Sequence, residues 1–216
     1  MKIVIQCAGR KFQDAGRLTT SKGKKILFAA HPEKCTNGEK CLRPDNQREN
    51  TGQTWRVYLQ EYNRSGKNPD LLFKAGCLYQ PEIYQKLVQQ YGENDVYILS
   101  AGWGLVRSDF LLPYYDITFS GQAEAYCQRK VRDHFEDFNQ LAEAGVRDNE
   151  AIYFFGGQSY LPLYLKLTRN IKARKVIYHS RGEGFEIQGY ECIAYRGFTN
   201  WHYICAQDFI DGRIRK

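Results

Sequence analysis

Within ten residues the chain places one arginine, two carboxylates and two tyrosines, in Arg107-Ser108-Asp109-Phe110-Leu111-Leu112-Pro113-Tyr114-Tyr115-Asp116. Pro113 fixes an extended or turn conformation, so these side chains are expected to splay from a rigid loop. A carboxylate beside stacking aromatics can stabilise a sugar cation and orient water, which makes Asp116 the first catalytic candidate and Asp109 the second. The same residues also fit a structural role, with Tyr114 and Tyr115 filling a sheet edge and Asp109 paired to Arg107.

Two glycine-bearing loops follow apolar runs that read as strands. Ser100-Ala101-Gly102-Trp103-Gly104 would let backbone approach a ligand while Trp103 offers a stacking face. Gly156-Gly157-Gln158-Ser159-Tyr160 opens a helix and would supply unpaired backbone donors. Gln6, Gln158 and Ser159 are candidates for holding a base or phosphate. The expected pocket therefore comprises Gln6, Ser100, Gly102, Trp103, Tyr114, Tyr115, Gly157, Gln158, Ser159 and Tyr160.

Charge is unevenly distributed. The 216 residues carry 31 basic and 24 acidic side chains, a net charge of +7. Fourteen basic and seven acidic residues fall between 10 and 74, so that segment holds the whole excess, as expected if one face meets a polyanion. Arg10, Lys11, Arg17, Lys22, Lys24, Lys25, Arg43, Arg48 and Arg107 are the candidate phosphate contacts; a solvated lysine-rich hairpin without a partner is the plain alternative. His31-x3-Cys35-x5-Cys41 has donor types that suit zinc, but no fourth ligand is evident, and neither a metal nor another cofactor is expected. The seven cysteines read as reduced thiols rather than a disulfide framework.

The elements that must position these groups follow from periodicity. Alternation predicts a strand over 2–7 and a hairpin over 12–25 turning at Ser21-Lys22-Gly23. A buried strand over 26–30 and a long surface loop from Glu33 to Gln53 come next. Trp55, Tyr58, Leu59 and Tyr62 mark one helix face, capped by Thr51 or Thr54. Pro81 opens another helix with Ile83, Tyr84, Leu87, Val88 and Tyr91 inward and Gly92 as its stop. Strands are expected at 95–101, 151–155, 175–179 and 190–195, a short helix at 159–167, and a long helix over 122–144 with Cys127, Val131, Phe135, Phe138 and Ala142 on its inner stripe. The alternation predicts an α/β fold: a largely parallel or mixed sheet flanked by helices, in one domain over 1–216 with residues 10–74 as a basic lobe. No apolar run reaches membrane-spanning length, Met1–Gln6 is too soon polar for a signal peptide, and the chain reads as cytoplasmic.

The stretch Ser100-Ala-Gly-Trp-Gly-Leu-Val-Arg-Ser-Asp-Phe-Leu-Leu-Pro-Tyr-Tyr-Asp-Ile-Thr resembles the signature of the YaaA peroxide-stress family. In that family a small-residue loop, Gly-Leu-Leu-Arg and Pro-Tyr follow a buried strand. Gln6 to Lys11, Ser159-Tyr160 and Arg196-Gly197 echo shorter pieces of it. The resemblance implies an α/β fold with a positively charged DNA-binding cleft and a role in guarding DNA. Asp116 after Pro-Tyr and the Glu33–Gln53 insertion depart from that pattern and point to a catalytic variant.

The function expected is excision of a flipped base, plain or modified, from double-stranded DNA by N-glycosidic hydrolysis, in DNA repair or antiviral defence against foreign DNA. Trp103, Tyr114 and Tyr115 would be the aromatic faces. The other expectation is a DNA-binding, DNA-protecting protein without chemistry. No Walker-type phosphate loop, clustered metal carboxylates or Ser-His-Asp order is legible.

Overall fold

A computed structural model describes residues 1–36, 38–182 and 184–214. Twelve strands form: β1 (Lys2–Gln6), β2 (Ile26–Ala29), β3 (Lys40–Leu42), β4 (Phe73–Lys74), β5 (Val96–Ser100), β6 (Gly104–Arg107), β7 (Leu111–Leu112), β8 (Tyr115–Asp116), β9 (Phe138–Asn139), β10 (Ala151–Phe155), β11 (Arg174–His179) and β12 (Glu191–Ala194). The helices are α1 (Trp55–Arg64), α2 (Ile83–Tyr91), α3 (Gln140–Glu143), α4 (Leu161–Thr168) and α5 (Trp201–Ile210). The main sheet has the order β12-β11-β10-β1-β5-β6-β9, with every pairing parallel except β5–β6. The expected α/β class therefore holds. Among the described residues no helix is long and apolar enough to cross a membrane.

The central strands read as continuous apolar runs because both faces are covered. Successive strand residues point to opposite faces. Phe154 stacks on Tyr164 of α4 with ring centroids 4.1 Å apart, whereas Phe155 meets Phe209 of α5 at 5.2 Å. α4 and α5 thus lie on opposite sides of β10. α1 begins where the Thr54 side chain accepts from the Val57 amide, and Gly92 ends α2.

Residues 10–74 contribute β2 and β3 to a second, three-stranded sheet, β3-β2-β8, all parallel. The expected 33–53 loop is not structureless: Pro32–Lys34 forms a 3₁₀ turn and β3 pairs with β2. That pairing brings Cys35 and Cys41 together in a disulfide, contrary to the expectation of reduced thiols throughout. The bond also consumes both thiols of the possible zinc site, and His31 turns to Glu33 and Asp133.

The expected helix over 122–144 does not form. Only α3 is helical there, Val131 is 71% exposed and Ala142 is exposed. Cys127, Phe135 and Phe138 are buried one at a time by tertiary contacts. The Asp133 carboxylate accepts from the Lys130 amide and Asn139 from the Ala142 amide, side-chain bonds that compete with a continuous helix.

Candidate active site

Chain topology singles out one place for a ligand. From β1 the chain goes toward β5 on one side; from β10 it goes to β11 on the other, so a crevice opens at the carboxyl ends of β1 and β10. The Gln6 side chain bridges it, its Oε1 accepting from the Gly157 amide at 2.6 Å. The Tyr84 hydroxyl holds the Gln6 carbonyl at 2.7 Å. Gly157 is half-buried, and Gly9, Arg10, Gln158 and Ser159 on the rim are exposed.

Below this rim lies a set of chemically active groups. Cys7 Sγ is 3.2 Å from the Tyr160 hydroxyl and accepts from the Ala101 amide at 3.4 Å. The Tyr79 and Tyr115 hydroxyls are 2.8 Å apart, and Ser100 Oγ donates to Tyr115 at 2.8 Å. Burial pushes the phenols of Tyr79, Tyr115 and Tyr160 well up, so they remain protonated donors. Lys11 is only 3% exposed. Its Nζ lies 3.5 Å from the Gly9 carbonyl and 4.2 Å from the Tyr115 ring centre, with no carboxylate in ion-pair range among the described residues. Burial lowers the pKa of this amine against the opposing charges of Cys7, Asp116 and Cys127.

Asp116 is half-buried on β8, which pairs with the carboxyl end of β2. The Tyr126 hydroxyl donates to its Oδ2 at 3.4 Å. Burial and a hydrogen bond with Asp116 push the Cys127 thiol up to about 12. Lys11 thus lies against Tyr115 and within electrostatic reach of Cys7 and Asp116. A weakly held amine proton, several phenol donors and one carboxylate form a set suited to proton transfer around a polar bond.

Several expected site residues serve elsewhere. Trp103 is fully buried between Phe28 (5.1 Å) and Phe138 (6.4 Å), so it offers no stacking face. The buried Arg56 donates to the carbonyls of Gly102 and Trp103, both at 3.0 Å, while Asp45 pairs with its Nε at 2.5 Å. The buried Arg129 donates to the Ala101 carbonyl at 2.7 Å and pairs with Asp137. The loop after β5 is thus clamped from both sides. Its glycines accommodate protein, not ligand: a Cβ on Gly102 would meet the Tyr115 ring at 3.1 Å. One on Gly104 (φ +89°) would fall 2.5 Å from the Phe138 carbonyl oxygen. Ser100 accepts from the amides of Gly102 and Trp103 and is buried, and Tyr115 is equally buried, so neither presents a face to an incoming base.

Asp109 is not at this centre. β6 runs against β5, so it carries the chain from the crevice edge to the opposite edge, where Asp109 takes two bonds from Arg107 at 2.6 and 2.7 Å. Arg107 is accordingly an ion-pair partner. Tyr114 points toward the lobe, taking a bond from Gln13 and lying 4.8 Å from the Arg17 guanidinium, which itself pairs with Glu39. Arg43 and Arg48 lie over Phe135 (4.3 Å) and Tyr58 (3.7 Å), and Lys11 is buried rather than surface-exposed. Arg10, Lys22, Lys24 and Lys25 remain exposed and, among the described residues, free of ion pairs. The three lysines lie at the amino end of β2, the end away from Asp116.

Sequence reasoning missed Arg56, Arg129 and the burial of Lys11. Arg56 sits three residues before the buried Leu59, a spacing that places both on one helix face. Lys11 next to Arg10 carries no such signal. The chain matches no family model, and no curated protein matches it significantly.

Proposed function

We propose that this protein excises a base from DNA by hydrolysis of the N-glycosidic bond, and that it is a distant relative of the YaaA family. The observation that carries the reading is Lys11, a buried amine with no carboxylate in ion-pair range among the described residues, within electrostatic reach of Asp116 and a few residues beyond the carboxyl end of β1. In this reading the flipped nucleotide enters between Gln6 and Gly157. Asp116 stabilises the sugar cation, orients the attacking water and takes the proton that the water loses as the C–O bond forms, while Lys11 gives its proton to the departing base as the C–N bond breaks. Gln158 and Ser159, exposed on the rim, fix polar atoms of the base. Arg10 and the free lysines of the 20–25 hairpin meet phosphate.

The test is a panel of plain, damaged and hypermodified duplexes, incubated and then cleaved with alkali at abasic sites. Strand breaks are expected on at least one substrate. Asp116→Asn and Lys11→Met should each lower the rate by about 100-fold or more, while Asp109→Asn stays near wild type. Breaks undiminished in the Asp116 and Lys11 variants would refute the assignment. The closed packing around Lys11 favours a second reading, a DNA-shielding protein with no chemistry. Salt-sensitive gel shifts with no product on any duplex would establish it.

A further inference from the structure

The lobe contains a separate cavity of about 350 Å³, bordered by the 19–21 hairpin arm, β3, the 47–49 segment and the first turn and a half of α1. Its wall is aromatic and cationic. The Arg48 guanidinium lies 3.7 Å from the Tyr58 ring centre and 5.2 Å from that of Trp55. No carboxylate pairs with Arg48 or Lys40 among the described residues. Arg48 Nε and Trp55 Nε1 are both buried without a hydrogen-bond partner, and Trp55 is 4% exposed. Both atoms are closed to solvent, so the polar groups left to line the cavity are those of Lys40, Glu49 and the rest of the Arg48 guanidinium. Glu49 takes the Ser21 hydroxyl at 2.6 Å on one oxygen, leaving the other to accept from an amino group.

We propose that this cavity binds one phosphorylated nucleotide. Its phosphate is held by Arg48 and Lys40, its base lies beside Trp55 and Tyr58, and an exocyclic amine reaches Glu49. The volume is at the lower end of small-molecule sites and suits one such unit. Donors for phosphate, a flat aromatic wall and a single carboxylate acceptor together match a nucleotide better than a bare anion. The inference does not require that the protein excise bases.

Calorimetric titration of the whole chain with dAMP, dCMP, dTMP, inorganic phosphate and a six-residue oligo-dA tests it. One saturable site is expected, with dAMP bound about tenfold tighter than phosphate and dTMP, which has no amino group, weaker than dAMP. Arg48→Met should weaken dAMP by about tenfold or more, and Tyr58→Leu, which removes the half-buried ring beside the base, by about three- to fivefold. Tighter binding of the oligonucleotide than of dAMP marks a strand nucleotide as the occupant, and equal binding a free one; both support the site. Overturning results are no saturable binding at millimolar concentration, phosphate binding as tightly as dAMP, or unchanged affinity in both folded variants. Loss of binding in Lys11→Met with retention in Arg48→Met would place the nucleotide in the crevice and also overturn it.

Discussion

Two glycine-bearing loops leave the same edge of the sheet and end in opposite conditions. After β5, Gly102 and Gly104 let backbone meet Tyr115 and Phe138, and two buried arginines take up the carbonyls of Ala101, Gly102 and Trp103. After β10, Gly156 is likewise packed against the Phe154 ring, but Gly157 has only ordinary contact with Gln6 and opens to the rim. Glycine in a strand-to-loop turn records that something comes close; the neighbouring polar atoms decide whether protein or ligand does. In the clamp the carbonyls of Ala101, Gly102 and Trp103 are all taken up by protein donors. The crevice instead houses a buried amine.

The largest expected effect falls on the clamp. Arg129→Met would leave Asp137, whose side chain is 1% exposed, with only the rim lysine Lys166, and should cost about 3–5 kcal/mol in chemical denaturation. Gly104→Ala combines positive φ with a backbone overlap and should cost about 3 kcal/mol by the same measurement.

Acid should act on the crevice side. His202, buried behind Tyr203, has its pKa lowered by burial to about 4, so the unfolded chain binds a proton more readily between pH 6.5 and 4. Stability is therefore lost as pH falls through that window, by up to about 3 kcal/mol, and His202→Phe should flatten the loss in melts recorded from pH 7 to 4.

Lys11→Met should act in the other direction. Since folding depresses this amine's pKa, native stability climbs as pH rises from the lowered value toward 10.5, and the penalty is whole below it. The variant should melt a few degrees higher than wild type at pH 6, with the gain fading toward pH 10. The smallest expected effect is Gly157→Ala, under about 1 kcal/mol in stability, which would put the contrast with Gly104 on a numerical footing. Equal losses at the two glycines would erase the distinction between the loops.

Much of the framework was legible because single-element periodicity reports it. The 2-residue alternation at β1, the apolar runs of β5, β10 and β11, and the α1 and α2 faces all lie where patterning put them. Patterning failed at 122–144, where apolar residues spaced as on a helix are instead buried singly by different partners around the Arg129–Asp137 pair. Within the site, the pairing of Gln6 with the Gly157 turn follows from two strands ending side by side. The fate of Trp103 and Lys11 does not, since a tryptophan near glycines and a lysine near an arginine look the same exposed or enclosed. Cys35 and Cys41 likewise meet only because β3 joins β2.

β8 is just two residues long, yet it belongs to both halves of the molecule. Tyr115 is fastened to Ser100 in the main sheet, while the next residue, Asp116, rides on β2. Through that one phenol the three-stranded sheet is tied to the main sheet a single residue away from Asp116.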